Sequence, residues 1–150
     1  MERRVRSDHW PKPRTQWPDG IWSVPYVSTA GPSDHASPPW LEASNCQRFA
    51  YGVLGLFGRE CPPLRSSNLW DDTTSSVHVR EPAALDLVLF NSTDDSFGAH
   101  IGVWMAPDEV LHLCKEIGTP SVWSLADFTK RPRYQVIVGF KRIVARAERT

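Results

Sequence analysis

The chain has 150 residues, the size of one domain with enough interior to bury a core. Its 17 basic and 17 acidic side chains cancel to a formal charge of zero, which gives no electrostatic footprint for nucleic acid or an anionic membrane surface. The three cysteines Cys46, Cys61 and Cys114 cannot all pair within the chain, so at least one thiol is free, as in a reducing compartment or a catalytic site and unlike a disulfide-built scaffold.

The N-terminal run Met1-Glu2-Arg3-Arg4-Val5-Arg6-Ser7-Asp8 lacks the apolar segment of a secretory signal peptide. No stretch reaches the roughly 20 apolar residues of a membrane helix. The expected location is cytoplasmic, or outside the cell by a non-classical or phage-associated route. Basic residues at the ends, Arg3, Arg4 and Arg6 and then Lys141, Arg142, Arg146 and Arg149, read as solvated tails. Residues 1–39 form a Pro/Trp-rich segment: seven of the 13 prolines lie there, with Trp10, Trp17 and Trp22 among them and Trp40 just beyond. Prolines argue against regular structure and tryptophans against disorder, which predicts an extended arm laid over a domain spanning 40–145, with 146–150 as a tail.

The first helix is predicted from Cys46. Apolar residues recur at Phe49, Ala50, Val53, Leu54 and Phe57, Ser44 or Asn45 can serve as N-cap, and Gly58 as stop, reinforced by Cys61-Pro62-Pro63. Cys46 then lies in the first turn on the buried face, where the positive end of the helix dipole is expected to favour thiolate. Residues 65–80 read as loop with one helical turn near Ser67 to Asp72. Leu85–Phe90 is apolar on nearly both faces, as in a central strand, and Asn91–Gly98 is a polar turn. His100–Met105 and Val110–Cys114 form a hairpin about Ala106-Pro107-Asp108-Glu109. Ser121–Lys130 carries a short strand and a helical turn, and Tyr134–Phe140 closes the sheet. A helix followed by consecutive strands predicts an α+β fold with an antiparallel sheet of about five strands.

A cysteine nucleophile needs a base in hydrogen-bond reach, and the base needs an orienting group. His100 and His112 are the candidates. If Trp104 pairs with Val110, Gly102 opposes His112 and the two imidazoles are diagonal neighbours on one face; if Met105 pairs with Val110, they face apart. A relay therefore needs an odd-length connection or a bulge, and Gly102 leaves room between the rings. A rival reading takes Cys46, His100, His112 and Cys114 as zinc ligands, without the spacing of an established zinc motif. Asp71-Asp72 and Asp94-Asp95 read as turn residues.

Asn45-Cys46-Gln47-Arg48-Phe49, Leu85–Phe90, Ala99-His100-Ile101-Gly102-Val103-Trp104, Val110-Leu111-His112 and the strand ending Gly139-Phe140-Lys141-Arg142-Ile143 together resemble the NlpC/P60 cysteine peptidases over about residues 40–143. The resemblance implies a papain-like fold with a helix packed on an antiparallel sheet. It makes Cys46 the nucleophile, His100 the base and His112 the orienter, with Tyr26 near the oxyanion hole and Asn45, Gln47 and Arg48 lining the substrate site. The family usually has aspartate, serine and glycine where this chain has Asn45, Gln47 and Arg48, so the cleft floor is bulkier and carries a cation. Residues 31–39 lengthen the gap from Tyr26 to Cys46. Asn45-Cys46 with Phe49 is also similar to the lecithin:retinol acyltransferase family, but there the histidine strand precedes the cysteine, whereas here it follows. The implied activity is amide hydrolysis on a peptide or peptidoglycan-fragment substrate, with no metal and no cofactor. The alternatives are a cytosolic acyl or amide transferase of related fold, or a non-catalytic binding or toxin-like module. No feature of the sequence speaks to oligomeric state.

Overall fold

The computed structural model describes residues 9–13, 17–28 and 39–144. The basic positions 3, 4, 6, 146 and 149, the tail 146–150 and the inserted residues 31–38 lie outside the described residues. The elements are a 3-10 turn Ile21–Ser23, helices α1 (Cys46–Leu56), α2 (Ser66–Asp71) and α3 (Leu125–Thr129), and strands β1 (Ser76–Val79), β2 (Asp86–Asn91), β3 (His100–Ala106), β4 (Glu109–His112), β5 (Ser121–Trp123) and β6 (Val136–Ile143), with a second 3-10 turn at Pro132–Tyr134. The architecture is α+β. Six strands make one antiparallel sheet in the order β1-β6-β2-β3-β4-β5. Among the described residues no helix is long and apolar enough to cross a membrane.

Helix α1 starts where Asn45, in extended conformation, accepts a 2.9 Å hydrogen bond from Arg48 N through Oδ1. It ends at Gly58, whose φ of 79° suits the left-handed position after a helix. The N–H of Gly58 donates to Gly55 O and that of Arg59 to Leu54 O, which satisfies the last carbonyls. The stop is thus the glycine, several residues before the Cys61-Pro62-Pro63 run.

The apolar stripe of α1 (Phe49, Ala50, Val53, Leu54) packs on one face of the sheet, against Leu87, Leu89, Ile101, Val103, Met105 and Leu111. The arm closes the same layer. Trp10, Ile21 and Val24 are buried in it, Trp17 meets Phe57 edge-on, and Trp10 Nε1 donates to Glu109 Oε1 at 2.6 Å. The opposite face is covered by α3 and the second 3-10 turn, over Val88, Phe90, Val110, Trp123, Phe128 and Tyr134.

Three expectations are corrected. Strand β1 falls within residues read as loop; Ser76-Val77-His78-Val79 has no strong strand pattern and forms because it pairs with the far end of β6, Ser76 opposite Ile143. Strand β4 ends at His112 rather than Cys114, and β6 runs past Phe140 to Ile143, because β1 and β2 flank it there. Lys141 and Arg142 do not belong to a solvated tail. Lys141 is fully buried, its Nζ donating to the carbonyls of Asp72 at 2.7 Å and Trp70 at 3.3 Å. Arg142 grips the fully buried Asp86 through two 2.9 Å hydrogen bonds. Asp72 does act as a turn residue, accepting from Thr74, Ser75 and Ser76.

A buried carboxylate stripped of its partner is costly. Arg142→Ala is therefore expected to lower the urea-unfolding free energy by about 3 kcal/mol, the low end for a buried pair because the arginine is itself partly exposed. An unchanged midpoint would show that Asp86 does not need its guanidinium.

Candidate active site

Capping by Asn45 makes Cys46 the first helical residue, so its thiol lies among N–H groups that have no partner within the helix. The thiol is approached by the backbone N–H groups of Cys46 and Gln47 and by that of Ile101 in β3. The β3–β4 ladder runs only between Val103–Ala106 and Glu109–Leu111, so the start of β3 is left open to the head of α1. Contact with Ile101 brings the thiol to the residue directly after His100. Burial nevertheless dominates the electrostatics and pushes the Cys46 thiol up to about 11, the three N–H groups only opposing it. The expectation of a dipole-lowered thiolate is corrected: desolvation outweighs the helix N-terminus, and the resting group is a thiol.

The register of the β3–β4 hairpin decides the histidines. Ala106 pairs with Glu109 across the two-residue turn, yet Trp104 pairs with Val110, so Met105 is bulged out. Without the bulge His112 would face away from His100. With it, both rings lie on the sheet face opposite α1, and His100 Nε2 stands 3.0 Å from His112 Nδ1. Gly102 lies between them. A Cβ there would come within 2.6 Å of Val110 Cγ1 and 3.3 Å of His112 Cβ, so the glycine makes room for Val110 first and His112 second.

Aromatic rings box in the pair. His112 is 4.3 Å from Trp123 and 4.5 Å from Phe128, and His100 is 4.7 Å from Tyr134, centroid to centroid. Nε2 of His112 is buried without a hydrogen-bond partner. Burial, and secondarily the positive charge of Arg133, hold His100 down to about 3; burial, then His100 and Arg131, push His112 down as well. Both imidazoles are neutral. Of the two ways to share a proton, only donation from His100 Nε2 to His112 Nδ1 leaves His100 Nδ1 as a bare acceptor.

Tyr26 enters from the arm. Its segment bridges to Ser44 in parallel, with Val27 N donating to Ser44 O at 2.8 Å and Tyr26 N to Gly118 O at 3.0 Å. Burial raises the Tyr26 hydroxyl pKa, and the charges of Cys46 and Cys114 reinforce it. Asn45 serves as the helix cap, its Oδ1 accepting from Arg48 N. Gln47 is buried with Oε1 lacking a hydrogen-bond partner, and Arg48 is half-buried. The zinc reading finds no support: among the described residues no group of three or more His, Cys, Asp or Glu side chains could hold a metal ion. Trp123, Phe128, Arg133 and Tyr134 carried no signal in the sequence, because their role comes from α3 and the second 3-10 turn folding over the histidine face.

Compared with protein-family models and with curated proteins, the chain matches none.

His100 falls from its ordinary 6.5 to about 3 in the fold, so the stability it contributes is present above pH 6.5 and is lost as pH falls toward 3. The half-buried Cys46 thiol, raised from 9.0 to about 11, works the other way: its contribution is present below pH 9 and is lost as pH rises toward 11. Between pH 7 and pH 4.5 the wild type is expected to lose about 2 kcal/mol more unfolding free energy than His100→Gln. Equal losses in urea titrations of the two proteins would rule out a histidine held neutral by the fold.

Proposed function

We propose that the protein is a thiol hydrolase with a papain-like fold of the NlpC/P60 kind, cleaving an amide bond by Cys–His catalysis. The observation that carries the reading is the 3.0 Å contact from His100 Nε2 to His112 Nδ1, on the strand whose second residue turns its N–H to the Cys46 thiol. A helix headed by a cysteine, laid on an antiparallel sheet that carries the histidines, is also what the resemblance implies.

In this mechanism Cys46 Sγ attacks the carbonyl carbon while His100 Nδ1 takes the thiol proton. Because burial keeps both partners neutral at rest, proton transfer accompanies attack instead of preceding it. His112 Nδ1 holds the His100 Nε2 proton and so fixes the ring. The N–H of Cys46 at the helix start and the Tyr26 hydroxyl are the candidate donors to the oxyanion. Collapse breaks the C–N bond, and the amine leaves with the proton from His100. Water, deprotonated by His100, then hydrolyses the thioester and frees the thiol. The substrate class is a peptide containing D-amino acid or γ-linked bonds, as in peptidoglycan stem peptides.

Incubation of purified peptidoglycan is expected to release stem peptides, seen by mass spectrometry, with wild type and not with Cys46→Ala. His100→Ala should cost about 10³-fold in kcat/KM. Release that survives Cys46→Ala would sink the mechanism, and no release by wild type would sink the substrate class.

The neutral resting pair also sets the pH profile. The competent form is the one present between about 3 for His100 and about 11 for Cys46, so kcat/KM is expected to vary less than about threefold from pH 5 to pH 9. A bell with both limbs inside that window would indicate a preformed thiolate–imidazolium pair.

A further inference from the structure

Two arginines flank the covered histidine face, and the structure uses them differently. Arg131 is committed: Nε donates to both carboxylate oxygens of Glu116 at 3.0 and 3.1 Å, a terminal nitrogen donates to Asp127 O at 2.6 Å, and the guanidinium lies 3.9 Å from the centre of the Trp123 ring. Arg133 is exposed and makes no ion pair with a carboxylate among the described residues. Its guanidinium carbon lies 5.8 Å from the centre of the Tyr134 ring, which in turn lies 4.7 Å from the His100 ring.

We propose that Arg133 binds a carboxylate of the substrate at the rim of the Cys46–His100 site, so that the substrate is an acyl or peptidyl group bearing a negative charge near the bond attacked. The inference rests on the thiol-hydrolase reading and narrows its substrate class.

Three observations support it. The nearby carboxylate, Glu116, has both oxygens hydrogen-bonded by Arg131, so it acts on Arg133 through its charge and forms no ion pair with it. The guanidinium stands where its charge is felt by the groups around the thiol: after burial, it is the influence that depresses His100, and it opposes the burial-driven rise of Tyr26. The guanidinium hydrogen-bonds the Tyr134 side chain, and its remaining N–H donors lie in one plane that matches a carboxylate in two-point geometry. A carboxylate held there would cancel the repulsion that Arg133 exerts on a protonated His100. The substrate would thus ease the proton transfer that its own cleavage requires.

Two alkylating agents that differ in one charge test this without any turnover. Iodoacetate and iodoacetamide are applied separately to the full chain, and modification of Cys46 is followed by peptide mapping. The iodoacetate-to-iodoacetamide rate ratio at Cys46 is expected to exceed that of free glutathione by about tenfold, as a charge-assisted contact implies. It should fall to the glutathione value in Arg133→Gln, recover in part in Arg133→Lys, and shrink in high salt. A ratio unchanged in Arg133→Gln would overturn the proposal. Failure of the nucleophile reading looks different: Cys46 labelled no faster than Cys61 by either reagent. A titration of ¹⁵N-labelled protein with N-acetylglycine and its neutral amide needs no reactive thiol. Shifts at Tyr26, Arg133 and Tyr134 with the carboxylate alone, absent in Arg133→Gln, are expected; equal shifts with both ligands would overturn the proposal independently.

Discussion

One residue of β3, Met105, bulges out of the ladder between the Ala106–Glu109 and Trp104–Val110 pairs, and the geometry of the histidine pair depends on it. Side chains alternate along a strand, so a slip of one position turns every side chain to the other face. With the bulge, His100, Gly102 and Trp104 share a face with Val110 and His112. Two rings set twelve residues apart then meet at 3.0 Å. The two-residue turn alone would have separated them. The glycine completes the arrangement by letting Val110 and the stem of His112 close over the strand.

Desolvation is the second constraint. The head of α1 offers N–H groups to the thiol, and a dipole of that kind is worth at most about 2 kcal/mol in a partly buried setting. The rings of Phe90, Trp123, Phe128 and Tyr134 on one face of the sheet, and the core beneath α1 on the other, remove water from the same region. Removing water disfavours every charged form, so the thiol rises and both imidazoles fall. In the proposed mechanism such a site is quiet until a substrate supplies the electrostatics that the fold withholds. The Arg133 guanidinium, which makes no ion pair with a carboxylate among the described residues, fits that picture.

The arm is part of the fold rather than an appendage. Trp10, Ile21 and Val24 lie in the same core as Phe49 and Leu54, and the bridge from Tyr26 to Ser44 sets a tyrosine two residues from Cys46 along the paired segment. Tyr26 thereby comes close enough for the Cys46 charge to act on its hydroxyl. The buried ends of β6 have the same logic. Lys141 donates to the carbonyls of Trp70 in α2 and of Asp72 just after it, and Arg142 pairs with Asp86, which ties β6 to the end of α2 and to β2.

Much of the local structure was legible along the chain. A cap at Ser44 or Asn45, Gly58 as stop, the apolar stripe of α1, the largely apolar β2 and the hairpin around Pro107-Asp108 all follow from short-range rules of capping, periodicity and turn chemistry, which act between residues a few positions apart. The sequence also named both possible registers of that hairpin, and with them the condition for a histidine relay. It could not choose between them, since a bulge is a compromise among β2, β4 and the layers packed on either face. Strand β1, the buried Lys141 and the aromatic box around His112 depend likewise on partners far away in sequence. The neutrality of Cys46 and His100 belongs to this second group, because a pKa is set by how much water is left around a group, and only the assembled layers determine that.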